Sequence, residues 1–251
     1  MQLRIICGDI TTWPAQAIVN SASESLMSTG GLDNRIYQAG GISLRAACSS
    51  LGGCPEGKAV LTFGYKLPAR YVIHTVAPFW RGGGHHEESQ LLSCYRASLA
   101  LAREKEVHHL AFSSLGTADK RIPLNRAADV AIPVLLEEGF GFSHIDLVCE
   151  TREEQDAYTK AAVFYWLQQI NDAAKEDIHA ILEKALMALT VLRQTSDGRE
   201  PMAQADMLLS LRHTLHPFAA LPAPRSIMNL ESTARQVMDI YHQAGTKPQA
   251  N

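Results

Sequence analysis

Between Leu3 and Ile170, short β-branched or apolar runs alternate with longer segments of helical periodicity, and few architectures satisfy that alternation. Leu3 to Cys7, Ala17 to Asn20, Ala59 to Thr62, Tyr71 to Val76, Leu110 to Leu115 and Ile145 to Cys149 read as strands. Leu32 to Cys48, Gln90 to Arg103, Leu124 to Glu138 and Glu153 to Ile170 carry apolar residues at helical spacing. Pro133 is expected to start the third of these helices late, bend it or split it, because proline removes a backbone donor. Strands and helices in this order predict an α/β sandwich with helices on both faces of one sheet. Ligands of such sheets sit in loops beyond the carboxyl ends of the strands. The loop with Gly30 and Gly31 and the loop after Leu115 are so placed.

The grammar changes at Asn171. Asp177 to Arg193, Met202 to His216 and a segment that Ser226 can cap are amphipathic and have no strands between them. They predict an all-helical appendage, 171–251, on a main domain of residues 1–170. Its apolar faces must be covered by the main domain, by each other, by a second copy or by a protein partner.

Composition narrows the function. With 46% hydrophobic and 20% charged residues the chain can bury a sizeable core. A net charge of -3 argues against a nucleic-acid partner, and no apolar run approaches a membrane span of about 20 residues. Met1 to Asp9 runs straight into a strand, so no secretory signal is expected. Five cysteines without paired spacing fit a reduced, cytoplasmic protein.

The chemistry-bearing residues lie in loops. A strand that enters a Gly-containing loop and then a helix leaves backbone N–H groups free for an anion such as phosphate. Gly30 and Gly31 meet that description, although a Gly pair also serves as a plain turn, and Asp33 sits in the first turn beyond them. Asp9, after the first strand, is placed to accept from a ligand's N–H donors or to cap its own turn at Thr11. His85-His86-Glu87-Glu88 holds metal-ligand residue types, but neighbours in sequence diverge in space, so a solvated loop is expected and no metal. Ser113-Ser114 lacks the G-x-S-x-G elbow, and neither G-x-G-x-x-G nor a Walker loop is present for a nucleotide cofactor. No cofactor is expected.

Gly8-Asp9-Ile10-Thr11, Ala17-Ile18-Val19-Asn20 and Gly30-Gly31-Leu32-Asp33 resemble, in order and spacing, the macrodomains that bind ADP-ribose. Gly53-Cys54-Pro55-Glu56-Gly57-Lys58-Ala59 is similar to the family's G-x-C-P-T-G-E-A segment, and Leu67 to Pro78 to its L-P-A-K-x-V-I-H-T-V-G-P strand. The resemblance covers about residues 1–170 and leans towards bacterial members that hydrolyse O-acetyl-ADP-ribose and ADP-ribosyl esters on proteins. It implies a three-layer α/β/α fold with a mixed central sheet.

It also implies roles. Asp9 matches the acid that binds adenine, and Ile10 its neighbour. Gly30, Gly31 and Leu32 match the first phosphate loop, and Asp33 the acid that positions or activates water at the distal ribose. Asn20 matches the first Asn of I-V-N-A-A-N, whereas Ser23 stands where the family has the Asn that holds the distal ribose. Ser28 and Thr29 replace two glycines of the first loop. The second loop, S-T-G-x-Y-G-Y/F-P in the family, reads Gly116-Thr117-Ala118-Asp119-Lys120-Arg121-Ile122-Pro123, with Lys120 in place of the ribose-covering aromatic. The resemblance therefore implies an ADP-ribose binder with reduced or absent hydrolysis. The alternatives are a working ester hydrolase using Asp33 and a degenerate scaffold that acts through 171–251.

Overall fold

A computed structural model of the chain describes residues 1–27 and 30–173. The helices expected from Asp177 onward lie outside the described residues, as do Ser28 and Thr29. Six strands, β1 (Gln2–Cys7), β2 (Ala17–Ser21), β3 (Ala59–Phe63), β4 (Tyr71–Thr75), β5 (His109–Ser113) and β6 (His144–Cys149), form one sheet. Their spatial order is β1-β6-β5-β2-β4-β3. All neighbours pair in parallel except β3, which runs antiparallel to β4. The expected mixed sheet is present.

The central strands read as unbroken apolar runs because both of their faces are covered. Ala17, Ile18 and Val19 of β2 are all fully buried. Ile18, Val72 and Ala111 share one face with Ile36, Tyr37 and Leu44 of α1 (Gly31–Leu51). On the other face Tyr95 of α2 (Glu87–Glu104) lies 5.2 Å, ring to ring, from Phe112. Helix α3 (Leu124–Glu138) packs beside α2, and α4 (Arg152–Ala173) follows β6.

Two helices depart from their sequence pattern. Pro133 lies inside α3 without splitting it, and the helix begins at Leu124 rather than late. Helix α1 is kinked instead, at Gly41, whose φ of 78° only glycine adopts without strain. Gly52, with φ 73°, ends α1 in the left-handed conformation common at helix C-termini.

The topology puts one edge of the sheet in charge of the chemistry. Parallel β1, β2, β4 and β5 all release their following loops at that edge. Because β3 is antiparallel, with Ala59 opposite Thr75, the segment preceding it arrives at the same edge. Residues around positions 9, 23, 56, 80 and 119 are thereby gathered from five loops.

Candidate functional site

Asn20 and His74 are register partners in the middle of the sheet, on the face that α1 covers. Both are fully buried, and so is Asp33 in the first turn of α1, at 2% exposure. Asn20 Nδ2 donates to Asp33 Oδ1 at 2.6 Å and lies 3.3 Å from His74 Nδ1. Since the amide N–H is the donor, Nδ1 accepts, and the single imidazole proton sits on Nε2, 2.9 Å from Thr62 Oγ1. Burial lowers the His74 pKa to about 4, so this ring is neutral at pH 7. Tyr37 stacks on it, with ring centroids 6.0 Å apart.

This buried chain, Thr62 to His74 to Asn20 to Asp33, leaves two atoms without a hydrogen-bond partner: Asn20 Oδ1 and Asp33 Oδ2. Burial raises the Asp33 pKa to about 6 and nearby Asp119 adds to the rise, against the lowering effects of the Asn20 hydrogen bond, the Ser23 backbone and the Arg45 charge. A carboxyl tuned there is ionised at neutral pH and still basic enough to take a proton. Asp33 lines a cavity of about 620 Å³ together with Ser23, Asp119 and Lys120.

Each wall of the cavity has a local cause. Gly30 (φ 130°) and Gly31 (φ 56°) turn the chain into α1 in conformations that disfavour a side chain. The carboxylate of Asp119 approaches Gly31 so closely that a Cβ there would stand 3.4 Å from it. The second loop is closed by Ile122 N–H donating to the Gly116 carbonyl at 3.0 Å. Gly116, with φ 76°, cannot carry a side chain, since a Cβ would lie 2.6 Å from Ile122 Cδ1. Trp80 N–H holds the Lys120 carbonyl at 2.9 Å, and the Lys120 ammonium sits 4.0 Å from the centre of the Phe79 ring. An aromatic therefore faces the cavity although position 120 lacks one; it comes from the β4–α2 loop.

That loop is ordered by Glu87, which is buried and accepts N–H bonds from Arg81 (2.8 Å), Gly83 (3.2 Å) and His85 (2.6 Å). Burial alone would raise its carboxyl, but these donors and its own N–H hold the pKa down at about 2. The acid of the His85-His86-Glu87-Glu88 run is thus a loop organiser.

The other expected site residues divide. Thr117 Oγ1 lies 2.9 Å from Ser114 Oγ and donates to Glu154 at 3.2 Å, so it braces the second loop. Ala118 is exposed, and Leu32 packs against the core. Asp9 and Ile10 do not line the cavity with Asp33. Asp9 caps the short 3-10 turn Ile10–Thr12, where its Oδ1 accepts from Thr11 N (2.9 Å) and Thr11 Oγ1 (2.8 Å). Ile10 is buried in the core beneath it. Reading by motif missed His74, Thr62, Glu24, Glu56, Phe79 and Arg81. A histidine directly after the buried apolar pair Val72 and Ile73 in a strand was the available signal for the first.

The Macro domain family model matches residues 19–131. A macro domain-containing protein of Chlorobaculum tepidum is 43% identical over 162 residues, which are 63% of this chain and 94% of that protein. The chain belongs to the macro domain family. The O-acetyl-ADP-ribose deacetylase 2 of Pantoea vagans is 37% identical over 63% of this chain and 97% of its own length. Among solved structures, the Oceanobacillus iheyensis macrodomain with ADP superposes with a TM-score of 0.63 at 30% identity, covering 66% of this chain and 92% of that one. In this macrodomain, no helix among the described residues is long and apolar enough to cross a membrane.

Proposed function

We propose that this macrodomain binds ADP-ribose, with the adenine end at Asp9 and the distal ribose in the cavity of Asp33. The observation that carries the reading is the buried Asn20–Asp33 pair, which holds Asp33 in the wall of a cavity of about 620 Å³ beside the start of α1. Backbone N–H groups at the α1 start, after Gly30 and Gly31, suit the diphosphate between the two ends. The solved relative with ADP supports the same reading. Asp9 has one oxygen engaged by Thr11, which fixes the carboxylate and leaves Oδ2 for an adenine amino group.

Calorimetric titration with ADP-ribose tests the proposal. Asp9→Ala should weaken binding at least about tenfold, since a hydrogen bond to a charged group contributes roughly 1.5–3 kcal/mol. Unchanged affinity in that variant rules out the adenine assignment, and no binding by the wild type rules out the function.

A second reading, slow hydrolysis of O-acetyl-ADP-ribose or ADP-ribosyl esters, is favoured by Asp33 itself. Its place in the cavity wall and its pKa, raised by burial to about 6, suit the deprotonation of water. The deacetylase among the relatives points the same way. Ser23 tempers the rate. Its hydroxyl lies 3.4 Å from Ser25 Oγ and supplies no amide to hold the distal ribose. Ser23→Asn should raise turnover by roughly ten- to a hundredfold, the scale of misplacement effects at a reacting centre. Equal rates in the two proteins would show that the ribose is held by other groups.

A further inference from the structure

The charged lining of the Asp33 cavity is acidic. Asp33, Glu24, Glu56 and Asp119 face it, against Arg81 and Lys120. Free ADP-ribose gives no reason for that balance, because its distal end is a neutral hydroxyl and its diphosphate is repelled by carboxylates. The segments that carry Glu24 and Glu56 are joined through their backbones. Cys54 N–H donates to the Glu24 carbonyl at 2.8 Å, which ties the loop of Glu24 to the segment that carries Glu56. Gly53 makes that approach possible, since a Cβ there would stand 2.8 Å from the same carbonyl oxygen. Lys120 is turned onto the Phe79 ring, and Arg81 is exposed on its loop, so neither cation is paired with Glu24 or Glu56 by any hydrogen bond among the described residues. Asp33, 2% exposed and with Oδ2 unpartnered by the protein, lines the same space.

Resting on the ADP-ribose reading, we infer that the cavity takes ADP-ribose whose distal ribose is joined to a cationic group, an arginine side chain linked through its guanidinium. A guanidinium substituted on one nitrogen keeps its charge and still offers N–H donors to two carboxylates. Serine-linked or ester-linked ADP-ribose presents a neutral group there and leaves the charges of Glu24 and Glu56 uncompensated. A directly held metal ion fits less well, because no three His, Cys, Asp or Glu side chains among the described residues converge on one point.

The test is calorimetry at low and high salt with free ADP-ribose, a peptide ADP-ribosylated on arginine and the same peptide ADP-ribosylated on serine. The arginine-linked peptide should bind roughly tenfold more tightly than the serine-linked one, the size expected of two partly exposed ion pairs. That preference should shrink in about 0.5 M salt, where such pairs are screened. Glu24→Gln combined with Glu56→Gln should abolish it while tightening free ADP-ribose up to about threefold, because two repelling charges are gone. Equal affinities for the two peptides in the wild type, or a preference indifferent to salt, overturn the inference and leave ADP-ribose binding intact. Failure of free ADP-ribose itself to bind overturns the underlying function instead.

Discussion

Asp33→Asn is expected to abolish measurable ester hydrolysis and, at pH 8, to make the protein more stable. Loss of a positioned general base typically costs about 10²–10⁴ in rate. The gain in stability follows from the position of the carboxyl. Its pKa is raised to about 6 by burial, so between roughly pH 4 and 6 the folded protein holds a proton that the unfolded chain has released. The stabilisation from that proton is complete below the unfolded value and lost as pH rises through about 6. Above that range the wild type carries a buried charge with one unpartnered oxygen. An asparagine accepts from Asn20 Nδ2 as Asp33 does and brings no charge into the interior. On the order of 2 kcal/mol should be recovered at pH 8 after allowance for residual screening, and none at pH 4. Urea unfolding at the two pH values measures it. A variant no more stable at pH 8 than the wild type would mean that Oδ2 is satisfied in solution. In the wild type, turnover should rise with pH through about 6, the limb set by Asp33, and that limb should vanish in the variant.

Asp146→Ala should be the most destabilising of the single changes considered, by about 2–3 kcal/mol, less than for a wholly buried ion pair because Arg4 and His109 are partly exposed. Asp146 is fully buried in β6 and takes four hydrogen bonds from three side chains. Arg4 of β1 grips it with two nitrogens, each at 2.6 Å. Trp13 Nε1 donates at 2.7 Å, and His109 Nε2 at 2.6 Å, which requires that this nitrogen carry the proton. Burial alone would raise the carboxyl, but these donors outweigh it and hold its pKa below the ordinary value. Its stabilisation is therefore present at neutral pH and lost in acid. Arg4, Trp13, His109 and Asp146 come from β1, the turn after it, β5 and β6, so the cluster pins three adjacent strands. A fall in unfolding free energy under about 1 kcal/mol would show that the cluster is solvated and weak.

Neither aspartate announces both of its properties in the sequence. Asp33 is legible as a helix-start acid after Gly30 and Gly31, and the family pattern points to it. Its raised pKa is not legible, because that depends on burial and on Asp119, which arrives from another loop. Asp146 interrupts an apolar strand and looks like an edge residue until Arg4 appears in the neighbouring strand, 142 positions away. Pro133 shows the opposite error. A local rule predicts a late start, a bend or a split, and α3 shows neither the late start nor the split, running from Leu124 to Glu138 with the proline inside.

The order of strands and helices was determined by the sequence alone, because hydrophobic periodicity and Gly or Pro punctuation are local properties. The family, and with it the first and second loops, was likewise carried by short contiguous motifs. The sheet order and the single antiparallel strand were decided by tertiary structure. So was the meeting of Glu24, Glu56, Phe79, Asp119 and Lys120 around one cavity. Those residues come from three separate loops beyond β2, β4 and β5 and from the segment before β3, and no local pattern relates them. Charge balance and pKa are set by neighbours in space, where distance and burial fix the strength of each interaction.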